Sequence, residues 1–251
     1  SSFLDTPLTN ADTANPQIYI KSSVQRIDVG GAAGPDLGTR LAGIGGIVDH
    51  TGAKAVSTAE ELQQIALNPA GDYFLTNDVD LGALTTTLDA GAGFSGTFDG
   101  AYNTLSYTLA YDAAGAAANV GLFSSLQDAE IRNLNLEATV SLTRAGSGSS
   151  VGALAGRVND SLISEVNAFD ARLAVYTALS NAEVNAGGLA GILEGQSVLY
   201  HVSSSVAQAE AGALAGKTGL TAGMLAGTVQ SVIFKGVHYE MMVNSADRTW
   251  K

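Results

Sequence analysis

The sequence contains no cysteine. This absence excludes disulfide frameworks, thiolate zinc sites, cysteine nucleophiles and cysteine-ligated iron–sulfur clusters. Aromatic residues make up only 6% of the chain and prolines number four, whereas glycines number 30. No apolar run approaches the roughly 20 residues that cross a bilayer, so we expect no membrane-spanning segment. This composition is typical of many tight turns around a core of small side chains.

Charge is also scarce and is mostly of one sign. Charged residues make up 14% of the 251 residues, and 24 acidic side chains outnumber 12 basic ones. Phosphate binding needs clustered Lys and Arg side chains, so nucleic acid is not expected as a partner. With 46% apolar residues, the chain can bury a core in one large domain or two small ones. It begins with Ser1 rather than Met, as expected of a processed chain or a fragment.

A recurring Gly-x-Leu-x-Gly core indicates an internal repeat. Its copies are Val151–Gly156, Ala186–Gly191, Ala211–Gly216, Ala222–Gly227 and the degenerate Val120–Ser125. Apolar residues follow four of the anchor glycines at a constant offset of 10 or 11 positions. These anchor and follower pairs are Gly121 with Ile131, Gly152 with Ile163, Gly187 with Val198 and Gly223 with Ile233. The Gly212 copy lacks a follower, so we interpret it as an extra segment inside the third coil.

The repeat units are typical of β-strands. Ile131–Glu137 is short and alternates apolar with polar side chains. Glycine at the anchors permits a sharp bend and a close approach of neighbouring backbones. One such coil cannot bury its apolar face, whereas stacked coils can. Residues 56–251 are therefore predicted to form a parallel β-solenoid of roughly four to six coils with a C-terminal cap.

Two features precede the repeats. Ser57–Glu60 reads as a capping box, which predicts a helix that continues to Leu67 and ends at Asn68-Pro69. Residues 1–55 show no repeat, and we expect them to cap the open first coil or to form an arm that docks onto a neighbouring subunit. They contain two strand-like runs, Gln17–Lys21 and Val24–Val29.

The residues upstream of the repeats resemble the lead-in of bacterial GLUG-repeat proteins. The resemblance is carried by the runs Ser57–Leu62, Gly71–Gly82 and Phe94–Gly100, and Val151–Asn159 resembles the GLUG repeat itself. GLUG-repeat proteins are surface and secreted exoproteins related to filamentous haemagglutinin-like adhesins. The resemblance covers roughly residues 56–240. It implies a right-handed parallel β-helix and an extracellular or cell-surface location. Together with the predicted short helix, the expected fold class is all-β. Association with a virion is the alternative location if the chain is a coat or tail-spike subunit.

The family often carries Asn in the short strand that follows each repeat. Asn133 fits this pattern, whereas Glu165, Tyr200 and Phe234 do not. A continuous Asn ladder is therefore not expected. Because the GLUG motif is a scaffold motif, the resemblance implies no catalytic residue.

Parallel β-helices also serve as polysaccharide lyases and hydrolases, and glycoside hydrolysis uses two carboxylates that face each other across a groove. Asp78 and Asp80 would share one face of a strand, as glycoside chemistry requires. Both lie within the lead-in motif, and we interpret them as scaffold. A lyase also needs a Lys or Arg near its carboxylates, and the nearest in sequence, Lys54 and Arg132, have no feature that brings them close.

The remaining motifs are interpreted as structural. His50, His201 and His238 form no metal-ligand spacing, so we expect no metal site. His238–Glu240, with Lys235 upstream, lies among apolar residues typical of a solenoid end. Gly30–Gly34 lacks the complete phosphate-binding pattern and is followed by Pro35-Asp36 instead of good helix formers. The sequence thus predicts no catalytic, cofactor-binding or metal-ligating residue.

These observations predict a non-catalytic surface or secreted module that recognises a glycan or a protein surface. The chain is accordingly expected not to be an enzyme and to need no cofactor. One alternative is a structural subunit of a fibre, coat or phage tail spike, in which copies of the chain contact each other. A second alternative is a polysaccharide lyase or hydrolase. The expected variable contacts are the loops Leu84–Ala92, Tyr111–Ala118 and Arg144–Ser150.

Overall fold

The computed structural model describes residues 20–28, 49–178, 182–213, 219–223, 228–235, 238–245 and 248–250, and the side chains of residues 49–178 and 182–210. Strands make up 60% of the structure. In this described part there is one short α-helix, α1 (Ala59–Gln63), followed by a 3-10 helix (Gln64–Leu67). Within the same residues, no helix has the length and apolar character that crossing a membrane requires.

Nineteen strands are described. In chain order they are β1 (Ile20–Asp28), β2 (Lys54–Val56), β3 (Tyr73–Leu75), β4 (Val79–Leu84), β5 (Thr97–Asp99), β6 (Thr104–Asp112), β7 (Asn119–Val120), β8 (Phe123–Gln127), β9 (Glu130–Ala145), β10 (Ser149–Gly152), β11 (Ala155–Asn159), β12 (Leu162–Thr177), β13 (Glu183–Gly187), β14 (Ala190–Glu194), β15 (Val198–Ala213), β16 (Gly219–Gly223), β17 (Thr228–Lys235), β18 (His238–Ser245) and β19 (Arg248–Trp250).

Three sheets of stacked strands form the body of the protein. The long sheet has the order β1-β15-β12-β9-β5-β3-β2, with β6 pairing β9 and β4 pairing β6. The other two sheets run β16-β13-β10-β7 and β14-β11-β8. All their pairings are parallel except that of β1 with β15. The predicted parallel β-helix with one short helix is confirmed, although it makes about three turns rather than four to six.

The register of the coils agrees with most of the predicted repeat. Gly187 lies opposite Gly152 on one side and Gly223 on the other. Gly212 lies within β15 opposite Tyr176, so it lies inside the third coil and does not begin a coil of its own. It is not part of an extra segment, however, because β15 and β12 both have 16 residues.

Two predicted followers differ from the observed register. Ile163 aligns with Ile131 and with Leu199, so the third follower is Leu199 instead of Val198. Ile233 lies in β17, which pairs antiparallel with β18. The apolar run Val232–Phe234 suits a strand of either orientation, and the offset of Ile233 from Gly223 matched the other coils, so the repeat suggested one more parallel coil than the structure has.

The helical segment and three phenylalanines fill the first coils. Leu62 and Ile65 are fully buried, and Phe94, Phe98 and Phe123 are fully buried as well. The rings of Phe94 and Phe123 stack with centroids 4.7 Å apart, and Phe98 meets Phe123 edge-on at 6.0 Å. The three buried phenylalanines thus pack against one another in the core of the first coils.

The helix begins one residue later than the predicted capping box. Thr58 is the N-cap, and its hydroxyl oxygen accepts a hydrogen bond from the N–H of Glu61 at 3.2 Å. The carboxylate of Glu61 reaches back to the N–H of Ser57 at 2.7 Å. The helical residues end at Asn68, as expected.

The N-terminal strand closes the far end of the long sheet. β1 pairs antiparallel with β15, from Ile20 opposite Val206 to Asp28 opposite Val198. We expected residues 1–55 to cap the open first coil or to form an arm on a neighbouring subunit, and both stay predictions; the part of them in β1 lies beside the last strand of the long sheet. A division of the chain between residues 55 and 56 stays a prediction.

Candidate functional site

Asp78 and Asp80 connect neighbouring coils. Both carboxylates are exposed at the start of β4. Asp78 accepts a hydrogen bond from the N–H of Thr104 at 2.7 Å. Asp80 accepts hydrogen bonds from the N–H of Gly82 at 2.9 Å and from the hydroxyl of Ser106 at 3.0 Å. Each carboxylate therefore satisfies donors of the scaffold.

The loop Leu84–Ala92 is anchored at its centre and exposed on both sides. Thr87, Leu88 and Asp89 are buried, whereas residues 85–86 and 90–92 are exposed. The carboxylate of Asp89 accepts hydrogen bonds from the N–H of Gly93 at 3.0 Å and from the N–H and hydroxyl of Ser124, at 3.0 Å and 2.6 Å. A buried carboxylate is tolerated only with such donors, so Asp89 fixes the loop to the solenoid and its exposed residues stay a predicted contact.

The other two loops are joined by an ion pair. Arg144 donates from Nε to Asp112 at 2.8 Å and also contacts it through a second guanidinium nitrogen. The hydrogen bond from Arg144 lowers the pKa of the Asp112 carboxyl, and the same bond raises the pKa of Arg144. Residues 114–117 are exposed beside this pair and remain available as a contact.

A buried carboxylate, Asp99, organises the end of β5. Its exposed fraction is 1%. It accepts hydrogen bonds from Arg132 Nε at 3.1 Å, from Asn133 Nδ2 at 3.1 Å and from the N–H of Ala101 at 2.7 Å. His50 Nε2 lies 3.0 Å from the same carboxylate. Arg132, which the sequence could not place, is thus bound to Asp99 and not to Asp78 or Asp80.

Two further contacts fix this cluster. The ring of His50 stacks on Phe74 with centroids 4.0 Å apart and an interplanar angle of 3°. Arg132 also forms an ion pair with Glu130 at 2.9 Å. The residues that meet at Asp99 come from separate coils, so no local motif could identify them.

The turn that follows Asp99 has an uncommon backbone conformation. The N–H of Asn103 donates to the carbonyl of Gly100 at 2.8 Å, and both central residues, Ala101 and Tyr102, have positive φ angles of 47° and 63°. This is the geometry of a type I′ turn, which favours Asn-Gly at its centre. A bulky residue such as Tyr102 is strained there. Tyr102 is also 65% exposed, so burial of its side chain does not offset this strain.

Polar side chains form rows across the outward face of the long sheet beside this turn. Strand register aligns Thr104 with Asn135, Asn167 and Ser203 in one row, and Asp80 with Ser106 and Glu137 in the next. Neighbouring members of a row are about 4.8 Å apart, which is the spacing of adjacent strands. No side chain at these described positions is basic.

Most of the acidic excess lies on the solenoid body. Residues 49–210 carry 18 Asp and Glu but only five Lys and Arg. Three of the five cations form ion pairs: Arg132, Arg144 and Arg157. Arg172 is hydrogen-bonded to Gln208. The surface potential therefore favours a cationic partner.

The Asn position of the repeat is a left-handed backbone position. Asn133, Glu165 and His201 have φ angles of 51°, 53° and 50° and occupy equivalent places in three coils. Asn tolerates this conformation better than most residues. His201, and not Tyr200, occupies the place in the third coil, and its Nδ1 lies 2.7 Å from Glu165 Oε1.

The other residues considered from sequence are placed only in part. The backbone of His238 in β18 lies opposite Lys235 in β17. The side chains of His238–Glu240 and all of Gly30–Pro35 lie outside the residues that the structure describes.

Comparison with known proteins identifies one family model. Residues 50–169 match the M26 IgA1-specific metallo-endopeptidase N-terminal region, so just under half of the chain is similar to it. A 28-residue segment is 68% identical to the spermidine/putrescine import ATP-binding protein PotA of Desulfitobacterium hafniense (strain Y51). That segment is 11% of this chain and 8% of PotA, so it carries no argument for the whole chain. No solved structure matches.

The similarity to a metallo-endopeptidase region contradicts the prediction that the chain is not an enzyme. That prediction depended on missing catalytic motifs, and a scaffold pattern carries no information about the chemistry of the protein it belongs to. The described donors do not fit a metal centre, since His50 and His201 each contact a separate carboxylate and no group of three or more His, Asp or Glu converges among these residues. The chain is thus similar, over its first coils, to the N-terminal region of a protease family.

Proposed function

We propose that this β-solenoid is a substrate-recognition region of a secreted bacterial metallo-endopeptidase. The observation that carries the proposal is the family match over residues 50–169, because these residues build the coils from β2 into β12. An extracellular or cell-surface location belongs to the same proposal, as does the finer relationship to GLUG-repeat exoproteins.

The recognised molecule is a protein. Glycans and protein surfaces were both open from the sequence, and similarity to an endopeptidase region favours a polypeptide. The outward face of the long sheet supports this choice, because its rows of Ser, Thr, Asn and carboxylate side chains offer hydrogen-bond partners at regular spacing along several coils. Many modest contacts over such a face bind an extended surface without a deep cavity.

Immunoglobulin A1 is the first probe, since the matched family is named for specificity toward it. The purified chain is immobilised, and retention of IgA1 is compared with retention of immunoglobulin G by biolayer interferometry. We expect selective retention of IgA1 that weakens as ionic strength rises, because the face is acidic. Equal retention of both immunoglobulins, or of neither, contradicts the proposal. IgA1 fragments that disappear on adding a chelator would extend the role from recognition to cleavage.

A matched pair of variants locates the binding face. Glu137 is exposed on β9 of the long sheet, and Glu183 is exposed on β13 of a different sheet. Glu137→Lys and Glu183→Lys change the net charge equally. We expect only Glu137→Lys to reduce IgA1 retention, and equal losses would argue against the long sheet as the recognition face.

A further inference from the structure

The exposed Tyr102 is held rigidly in an unfavourable backbone conformation. Its N–H donates to the carbonyl of Asn133 at 2.7 Å, and its carbonyl accepts from Asn135 Nδ2 at 2.9 Å. Asp99 holds the preceding residue through the N–H of Ala101 at 2.7 Å. All these contacts use the backbone of the turn and none needs an aromatic ring. Strain of this kind persists where the surrounding structure imposes it, and it concentrates at functional sites.

The ring itself contributes little to the fold. Tyr102 and Leu67 are the two large hydrophobic side chains that are strongly exposed in the described part of the chain, at 65% and 80%. A glycine would satisfy the φ angle of 63° without strain. The position therefore gives up stability to present an aromatic side chain, and rigid exposed tyrosines are typical anchors of protein interfaces.

The charge of the neighbouring side chains determines which partner can cover this ring. Thr104 lies two residues after Tyr102, and its N–H donates to the exposed carboxylate of Asp78. In the next row, the exposed Asp80 and Glu137 flank Ser106. Asp80 and Glu137 lie opposite Ser106, which is four residues, or about 13 Å, along the strand from Tyr102.

The Arg132 side chain, on a strand next to the turn, is already neutralised, because it is bound to Asp99 and Glu130. An exposed aromatic ring attracts a Lys or Arg side chain through cation–π attraction. Exposed carboxylates farther along the strands attract further basic side chains through charge-assisted hydrogen bonds. A polyanion or an acidic peptide is repelled by the same groups.

We infer that Tyr102, with Asp78, Asp80 and Glu137, is a docking surface for the Lys and Arg side chains of a basic, extended polypeptide. We call these four residues the Tyr102 surface. The inference deepens the proposed function by naming the chemistry of the recognised segment, and it rests on that proposal in taking the partner to be a polypeptide.

The test uses isotope-labelled chain and two short Gly/Ser peptides, one containing several Arg residues and the other several Glu residues. At low ionic strength we expect the Arg peptide to shift the amide resonances of Tyr102, Asn103 and Glu137, and the Glu peptide to leave them unchanged. Tyr102→Gly should weaken binding of the Arg peptide about two- to fivefold, as expected for an exposed cation–π contact. Tyr102→Phe keeps the ring and should bind like the natural chain.

Folding does not confound this test, because Tyr102→Gly relieves strain and should melt at a higher temperature than the natural chain. Leu67→Ala is the matched control, and it should leave peptide binding unchanged. The inference is overturned if Tyr102→Gly binds the Arg peptide normally, if neither peptide binds, or if the shifts are equal at distant carboxylates such as Glu183. IgA1 retention that survives Tyr102→Gly overturns the inference alone. If the natural chain does not retain IgA1 but still binds the Arg peptide at Tyr102, the proposed function alone is overturned.

Discussion

The buried hydroxyl of Tyr107 donates a hydrogen bond to the carbonyl oxygen of Ala153 at 2.5 Å. This bond links β6 to the Gly-x-Leu-x-Gly segment of a later coil. Burial raises the pKa of the Tyr107 hydroxyl far above its ordinary value, so the group stays protonated and remains a donor at any pH at which the protein folds.

Tyr107→Phe is expected to lower the free energy of unfolding by about 1 kcal/mol, because the buried carbonyl of Ala153 keeps only the longer hydrogen bond from the N–H of Leu122, at 3.3 Å. Urea denaturation followed by circular dichroism measures the loss. Tyr111→Phe, in the same strand but only partly buried, is the control and should change stability by less than about 0.5 kcal/mol. Equal losses in the two variants would show that the bond to Ala153 adds nothing.

Asp99→Asn should destabilise the fold by about 3 kcal/mol. The substitution keeps the shape of the side chain but leaves Arg132 without its buried counter-charge, which is costly. The control is Glu130→Gln, which removes the more exposed carboxylate bound to Arg132 and should cost less than about 1 kcal/mol. Chemical denaturation of both variants compares the two, and a small effect of Asp99→Asn would mean that His50 and Arg132 do not depend on the charge.

Asp112 makes part of the stability depend on pH. Its pKa is lowered from the ordinary value of 3.8 by the hydrogen bond from Arg144. A carboxyl group whose pKa falls on folding stabilises the native state fully above its unfolded-state pKa and loses that contribution as the pH falls through the folded-state value. Asp112→Asn should therefore lower the melting temperature slightly near neutral pH, and the difference from the natural chain should shrink as the pH falls below the ordinary value of 3.8. A difference that stays the same as the pH falls would contradict this account.

Gly152→Ala should abolish cooperative folding or cost at least about 3 kcal/mol. A Cβ atom at this anchor would lie 2.5 Å from the Cα atom of Ala190 in the next coil, and backbone cannot move aside as a side chain can. Gly82→Ala is a control with a different cause. Gly82 has a φ angle of 64° and open space around its Cβ position, so only backbone strain of about 1–2 kcal/mol is expected. Thermal melts of both variants separate steric overlap from strain.

The scaffold was accessible from the sequence because its determinants are either local or regularly spaced. The capping residues of α1 act on their neighbours in the chain, and the anchors Gly152 and Gly187 recur at the length of one coil. The missing follower after Gly212 correctly indicated that this copy begins no coil of its own.

The candidate site was not accessible in this way. His50 and Arg132 lie 49 and 33 positions from Asp99, and they meet only because particular coils stack. The strain at Tyr102 depends on a φ angle that the sequence does not encode by residue type, since Ala101-Tyr102 gives no turn signal. The orientation of β17 was missed because a short apolar run such as Val232–Phe234 occurs in both parallel and antiparallel strands.

The pairing of β1 with β15 has a consequence for the order of folding. Residues 20 and 206 are partners, so β1 can pair only after the strands between them have been synthesised. Contacts so distant in sequence form slowly, whereas each inner coil can add to the coil before it as soon as it emerges. We therefore expect the inner coils to form first and β1 to attach after them, as the step that completes the long sheet.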